Sequence, residues 1–481
     1  MVVISDDPLI SITSALGTWS SNAGPLYKRL AGAIREAIES GVVPQGQTLP
    51  PERKLAEALA VSRGTVVAAY DSLREVGLIE SRQGSGSRVR GGAARPAPAS
   101  PYLSRMVASG GPLIDLSKAA VPLEGADLDL AADLDPAVLR AAGYGYLPLG
   151  LPALRAALAD WLTADGLPTE PEQVLVTCGA QEAISLVADG FVAPGDHVVV
   201  ESPTYPNAIE SFRRVGARLA EISIDHGGLR IAALRQLLER SSPRVIYTMP
   251  TVHNPAGTVM PATRREELVS LARANDAIVV DDATMAQTIY EPRGGSWLAS
   301  LDPGAEVVTV GSFSKLFWGG LRVGWLRAAP GTVLRLGRMK AAWDLGTSLP
   351  AQAVALRVLE ELPVVAERRR ALLQRRLASA TGALAEHLGD WSYAEPRGGM
   401  ALWLQLPGGN AEELAQVAVR YGVTFLPGAT TSPSGEHGDH VRLAFGCPES
   451  VFATAVERLA AAFAEYRERR PLGGLDRAVL V

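Results

Sequence analysis

"VTVGSFSKLFWGGLRVGW", residues 308–325, is an apolar run that breaks into small and polar residues around a single lysine. Val308, Thr309 and Val310 are β-branched and end at Gly311, which reads as a buried strand stopping at a glycine. Ser312, Ser314 and Lys315 then stand at the strand's C-terminal end, and Arg322 follows the lysine by seven residues. A free lysine amine, with a pKa of about 10.4, is no nucleophile at neutral pH. An amine, two hydroxyls and a guanidinium at the mouth of a parallel strand suit an aldehyde cofactor that carries a phosphate.

Outward from this stretch, "QVLVTCG", "HVVVES", "RVIYTMP", "AIVVDDA" and "EVVTVGS" are short Val/Ile-rich runs separated by longer Ala/Leu/Arg-rich helical patterns. That alternation predicts strands joined by helices, hence an α/β fold with a mostly parallel sheet covered by helices on both faces. At 481 residues and 47% apolar content, the chain exceeds what one core accommodates, so two or three domains are expected. The net charge of −5, and no uninterrupted apolar run of about 18 residues, exclude a membrane span and a bulk polyanion-binding surface. Cys178 and Cys447 offer neither a disulfide framework nor a metal-ligand spacing, so both read as small buried hydrophobes in a reducing cytoplasm. No metal is expected.

The stretch "VRGGAARPAPASPYLSRMVASGGP" is rich in Gly, Pro, Ala and Ser, and predicts a linker over 91–112. Ahead of it, Leu26, Leu30, Ile34 and Ile38 form one stripe of a helix that Gly41 ends. Pro51 suits the first turn of a second helix with Leu55 and Leu59 inward, and Ser62 can cap a third. On that third helix Val66, Tyr70 and Leu73 face inward, leaving Arg63, Gly64, Thr65 and Ala68 outward at its start. A tight helix pair led by small, polar and cationic residues suits a major groove, and "LIESRQGSGSRVR" reads as a strand, a Gly-rich tip and a second strand. The basic run "AERRRALLQRRLASA", residues 366–380, reads as a helix with its arginines on a solvated outer face.

Residues 24–90 resemble the winged helix-turn-helix of GntR-type transcriptional regulators, preceded by an extension over 1–23. The resemblance implies that Arg53, Ser62, Arg63, Thr65 and Gly86 contact double-stranded DNA. "SFSKLFWGGLRVGW" resembles the lysine signature of fold-type I pyridoxal-phosphate enzymes, the aspartate aminotransferase superfamily. This implies that Lys315 forms a Schiff base with pyridoxal 5'-phosphate and that Ser312, Ser314 and Arg322 hold its phosphate, together with the amides of Ala180 and Gln181 in "TCGAQEAI". By the same resemblance Tyr205 stacks on the pyridine ring, Asn254 bonds its phenolic oxygen, Asp281 holds its nitrogen protonated, and Arg442 clamps an effector carboxylate, with Tyr146 also in the effector site. One departure stands out: Ala283 and Thr284 occupy the positions where the superfamily places a tyrosine.

A GntR-type head joined to an aminotransferase-like domain over 113–481 is similar to the MocR subfamily of bacterial regulators. The division expected is a large subdomain over about 150–345 and a smaller α+β subdomain from 113–149 and 346–470. The resemblance implies a cytoplasmic, head-to-tail homodimer, associated with the nucleoid when on DNA, in which each head packs against the partner's domain. It also implies a regulator that senses an amine, an amino acid or the cofactor itself through an external aldimine at Lys315. The alternative is a working aminotransferase that carries a winged helix.

Overall fold

A computed structural model describes residues 25–39, 43, 46–82, 86–90, 113–123, 125–132, 135–291 and 296–469, with Ile12, Thr13, Leu16 and Trp19 ahead of them. The predicted linker, Gly41 and most of the N-terminal extension lie outside the described residues.

Three helices and a two-stranded ribbon build the head. Helix α1 (Leu26–Glu39) packs on α2 (Glu52–Ala58) and α3 (Arg63–Glu75), followed by the antiparallel pair β1 (Ile79–Arg82) and β2 (Gly86–Val89). Their apolar stripes converge as predicted: Leu30, Ile34, Leu55, Leu59, Val66, Tyr70 and Leu73 are buried in one cluster with Ile79 and Val89. Tyr70 donates its hydroxyl to the Pro50 carbonyl at 2.9 Å, so the polar end of this core tyrosine is satisfied.

The five predicted strand runs all form strands, and they lie in one eight-stranded sheet of order β4-β11-β10-β9-β8-β5-β6-β7. These are β4 (Val174–Thr177), β5 (His197–Ser202), β6 (Arg218–Asp225), β7 (Gly228–Leu229), β8 (Val245–Thr248), β9 (Ile278–Asp282), β10 (Val307–Ser312) and β11 (Gly324–Arg327). The central pairs are parallel, while β11 runs antiparallel to both β10 and β4. Side chains alternate across the sheet, which decides what each helix covers. Val200, Tyr247, Val280 and Val310 face α4 (Ala180–Phe191), α5 (Pro206–Arg214) and α7 (Pro330–Trp343), whereas Val199, Ile246, Val279 and Val307 face helix Ala262–Ala274. Helix α6 (Phe313–Leu316), carrying Lys315, starts directly at the end of β10.

A smaller sheet of order β12-β13-β16-β15 consists of β12 (Ser392–Tyr393), β13 (Ala401–Gln405), β15 (Leu426–Pro427) and β16 (His440–Ala444), covered by α8 (Leu362–His387), α9 (Ala411–Arg420) and α10 (Glu449–Arg469). Beside it β3 (Ile114–Asp115) pairs in parallel with β14 (Val423–Thr424), so the segment entering the second domain is tied to the far end of the chain.

The head rests on this small unit of its own chain. Trp19 donates Nε1 to Gln416 Oε1 at 3.1 Å, Gln416 donates to the Thr13 carbonyl at 2.8 Å, and Arg420 donates to the carbonyls of Leu59 and Ala60, each at 3.3 Å. Leu59 and Ala60 form the turn between α2 and α3, so an arginine on α9 caps the helix-turn-helix itself.

Helix α8 corrects the reading of residues 366–380 in part: Arg368 and Arg375 are exposed as expected, but two of its arginines turn inward. Arg369 and Arg376 are buried at 3% and 4% exposure. The helix lies between the lysine turn and the small sheet, so it has two inward faces, and buried guanidiniums serve exposed backbone carbonyls there. Arg376 bonds the Gly446 carbonyl, while Arg369 donates to Leu316 O at 2.8 Å and Phe317 O at 2.6 Å and pairs with Asp127 at 3.0 Å.

Candidate functional site

Ser312 ends β10 in extended conformation and caps α6, its hydroxyl accepting from Ser314 N at 3.1 Å and donating to Ser314 Oγ at 3.0 Å. The cap fixes the direction of the next turn and so of Lys315, whose Nζ donates to the Ala119 carbonyl at 2.6 Å. Burial pushes the amine's pKa from an ordinary 10.5 down to about 8, the positive charges of Arg442 and Arg322 add to this, and Asp282 opposes it. A neutral amine is therefore available near physiological pH, which is what condensation with an aldehyde requires.

Arg322 adopts a left-handed backbone, φ +54°, and turns its guanidinium back to the Cys178 carbonyl at 2.8 Å. Gly179, φ +78°, is the N-cap of α4 and supplies no side chain to that helix end. A Cβ there would stand 2.9 Å from Arg322 Nη2, so only glycine leaves the approach open. The first amides of α4, from Ala180 and Gln181, have no intrahelical partner, and with Arg322 and the two serines on adjoining elements they form a fitting cradle for a phosphate. Gln181 uses its own side chain on Ser211 Oγ at 2.9 Å, leaving its backbone amide as the cradle group.

Tyr205 caps α5 against the same core face, and its hydroxyl accepts from Asn207 Nδ2 at 3.0 Å, a partner not evident in the sequence. Asn254 Oδ1 accepts from Arg442 Nη1 at 3.0 Å. Arg442, buried at 4% exposure on β16, also bonds the Ser117 carbonyl. Thus Lys315, Asn254, Arg442 and the strap 117–119 meet, although they come from four separate parts of the chain.

Asp281 and Asp282 are both buried, 1% and 4% exposed. They point to opposite faces. Asp282 accepts from Tyr247 Oη at 2.5 Å and from Thr284 N at 3.0 Å, and burial raises its pKa against the pull of those hydrogen bonds. Asp281 lies in register with Thr309 and Thr248. Thr284, at the superfamily's tyrosine position, donates its backbone amide to Asp282, whose other oxygen accepts from the Tyr247 hydroxyl of β8. His253, between β8 and the helix Ala262–Ala274, is 2% exposed with Nε2 3.4 Å from Glu201 Oε2. Cys178 and Cys447 are free and half-buried.

Tyr146 is not brought to Lys315 within the chain; it is 70% exposed. Arg369 is the positioning residue that sequence reasoning missed, since it grips the two carbonyls immediately after the lysine. Arg369→Met is expected to cost about 2–5 kcal/mol by denaturant titration, because two buried carbonyls lose their donor. A cost below about 1 kcal/mol would show that the turn does not depend on it.

In the head, Arg63 and Gly64 are exposed at the start of α3. Ser62 acts first as the cap, accepting from Thr65 N at 3.1 Å and sharing a hydrogen bond with Thr65 Oγ1 at 2.9 Å. Arg53 pairs with Glu57 at 3.1 Å in the open. Gly86 opens β2 opposite Arg82 with φ +80°, and a Cβ there would point into open space.

Comparison with known proteins places both halves. Residues 139–459 match the family "Aminotransferase class I and II", and residues 26–89 match "Bacterial regulatory proteins, gntR family". The chain is 29% identical to the probable rhizopine catabolism regulatory protein MocR of Rhizobium meliloti, over 84% of this chain and 86% of that one. It is 31% identical to aromatic-amino-acid aminotransferase 1 of Thermococcus litoralis, over 65% of this chain and 77% of that one. Among solved structures, LysN, the alpha-aminoadipate aminotransferase of Thermus thermophilus complexed with N-(5'-phosphopyridoxyl)-L-leucine, superposes with a TM-score of 0.68 at 28% identity, covering 74% of this chain and 93% of that one. The aminotransferase half is pyridoxal-phosphate-dependent, as its family and these neighbours are. With a GntR head on an aminotransferase class I and II domain, and relatives of the same two-part build across most of its length, the chain belongs to the MocR subfamily.

Proposed function

We propose that this pyridoxal-phosphate-dependent transcriptional regulator senses a small amine or amino acid at Lys315 and passes the event to its DNA-reading head. The observation that carries the reading is the strap 114–119. Its Ala119 and Ser117 carbonyls bond Lys315 and Arg442, while its β3 pairs with β14, three residues beyond Arg420, which caps the helix-turn-helix.

The cofactor, when bound, supplies an aldehyde that exchanges one amine for another. Ser312, Ser314, Arg322 and the amides of Ala180 and Gln181 hold its phosphate, Tyr205 covers its ring, Asn254 faces its phenolic oxygen, and Asp281 keeps its ring nitrogen protonated. With the cofactor bound, the Lys315 nitrogen would take the proton of the incoming ammonium group, freeing that amine's lone pair, and the lysine side chain would then carry the proton as its ammonium. An effector carboxylate at Arg442 would share the guanidinium with the Ser117 carbonyl, which ties ligand binding to the strap. Double-stranded DNA is read by α3 and the wing, with Arg53, Ser62, Arg63, Thr65 and Gly86 at or near the phosphates and base edges.

The chain acts as a cytoplasmic homodimer, nucleoid-associated on its operator. Exposed Tyr144, Tyr146, Trp343 and Leu345 gather where Gly346 abuts Leu147, an apolar face suited to a second copy, and Tyr146 serves the partner's site. No helix among the described residues is long and apolar enough to cross a membrane.

The test is a screen of amines and amino acids for a change in the cofactor's absorption spectrum, repeated with operator DNA. An effector should shift DNA affinity by about 5–150-fold. DNA binding indifferent to every amine that alters the spectrum would sink the reading. Arg420→Ala is expected to keep both binding activities and lose most of the coupling, measured as the ratio of DNA affinities with and without effector. Sequence similarity to an aminotransferase supports a second reading, a working enzyme, which predicts many turnovers of amino donor and keto acid instead of one half-reaction.

A further inference from the structure

Lys340 lies in α7 with no exposure at all, and neither half of the functional reading uses it. Its ammonium bonds both oxygens of Glu182 at 2.9 Å and Asp344 Oδ2 at 2.6 Å. Glu182 is the third residue of α4, the helix whose N-terminus forms the phosphate cradle, and its carboxylate folds back to accept from Cys178 N at 2.5 Å.

The turn before α4 is thereby held from three sides. Thr177 Oγ1 donates to the Gly179 carbonyl at 3.0 Å, Arg322 donates to the Cys178 carbonyl at 2.8 Å, and Glu182 receives the Cys178 amide. The third support has a cost. A carboxylate in the first turn of a helix is welcome to the helix dipole, but it competes with any anion bound at the same end. Its hydrogen bond to Cys178 is needed for shape, while its charge opposes a phosphate.

We propose that Lys340 is a positioning residue for the cofactor's phosphate: its ammonium, shared with Asp344, offsets the charge of Glu182 and leaves that carboxylate to pin the Cys178 turn. The proposal rests on the phosphate lying at Gly179–Gln181. Lys340 never touches the cofactor; it acts through Glu182. Helix α7 can hold the ammonium there because it packs closely on α4, where a Cβ at Gly190 would come within 2.6 Å of Leu336.

Charge logic separates this from simple packing. The full-length apoprotein is titrated with pyridoxal phosphate and with pyridoxal, which lacks the phosphate, for the wild type, Lys340→Met, Glu182→Gln, the double variant and Arg322→Ala. Lys340→Met is expected to weaken pyridoxal phosphate by about tenfold and pyridoxal by about twofold at most. Glu182→Gln keeps an acceptor for Cys178 N and removes the charge, so adding it to Lys340→Met should restore most of the loss. Should Lys340→Met fail to fold, Glu182→Gln alone is expected to tighten pyridoxal phosphate relative to pyridoxal at low salt. Equal losses for the two ligands, a double variant no better than Lys340→Met, or an unchanged ligand ratio in Glu182→Gln would each overturn the proposal. Arg322→Ala tests the underlying cradle: if it leaves the ligand ratio unchanged, the phosphate lies elsewhere and both readings fall.

Discussion

Lys315→Ala is expected to abolish the covalent hold on the cofactor. Wild-type protein loaded with pyridoxal phosphate and reduced with borohydride should carry one adduct, mapped by mass spectrometry to position 315. The variant should carry none, lose its visible absorbance, and release the ligand on dialysis, because the phosphate cradle and Asn254 offer only noncovalent contacts. An adduct elsewhere, or unchanged absorbance in the variant, would refute the assignment. The same residue predicts a pH dependence of the apoprotein. In the unfolded chain the lysine keeps its proton up to about 10.5, and in the fold it loses it near 8, so unfolding in that window takes up a proton. Raising the pH from 8 to 10.5 should therefore add stability, by roughly 3 kcal/mol at most, and Lys315→Met should flatten the slope.

Arg63→Ala is expected to weaken operator binding about 10–100-fold, the range for losing one bidentate contact to a guanine or a phosphate. If the contact is to a phosphate, the slope of log affinity against log salt falls by about one, and if to a base, discrimination at one position relaxes. Arg63 is exposed at the start of α3 and makes no ion pair among the described residues. Arg53 already pairs with Glu57 in the open, an interaction worth under about 1 kcal/mol, so Arg53→Ala should show a smaller and more salt-sensitive effect. Unaltered DNA retention in Arg63→Ala, measured by fluorescence anisotropy across a salt series, would remove α3 as the reading element.

The two halves differ in how much of them could be read along the chain. The strands were legible because parallel strands buried on both faces are continuous apolar runs, and the head was legible because its three helices carry stripes four residues apart. Strand β11, Gly-Trp-Leu-Arg, was not, since it lacks a β-branched run and is held as a strand by its neighbours β10 and β4. The two inward arginines of α8 were misread because the sequence shows charge but not the carbonyls waiting for it: Leu316 and Phe317 lie about fifty residues upstream of Arg369. His253 likewise meets its carboxylate neighbour, Glu201, across two strands.

Local pattern was enough to specify the two domains and the lysine at a strand end, because each depends on residues within a turn or a strand of one another. Three-dimensional packing alone settled the lowered pKa of that lysine, the pairing of Arg442 with Asn254, the strap that links both to the head, and the burial of Lys340 against Glu182. These are interactions of charge and hydrogen bonding between groups up to several hundred residues apart in the chain, and their energies follow distance and burial, which a linear order of residues does not contain.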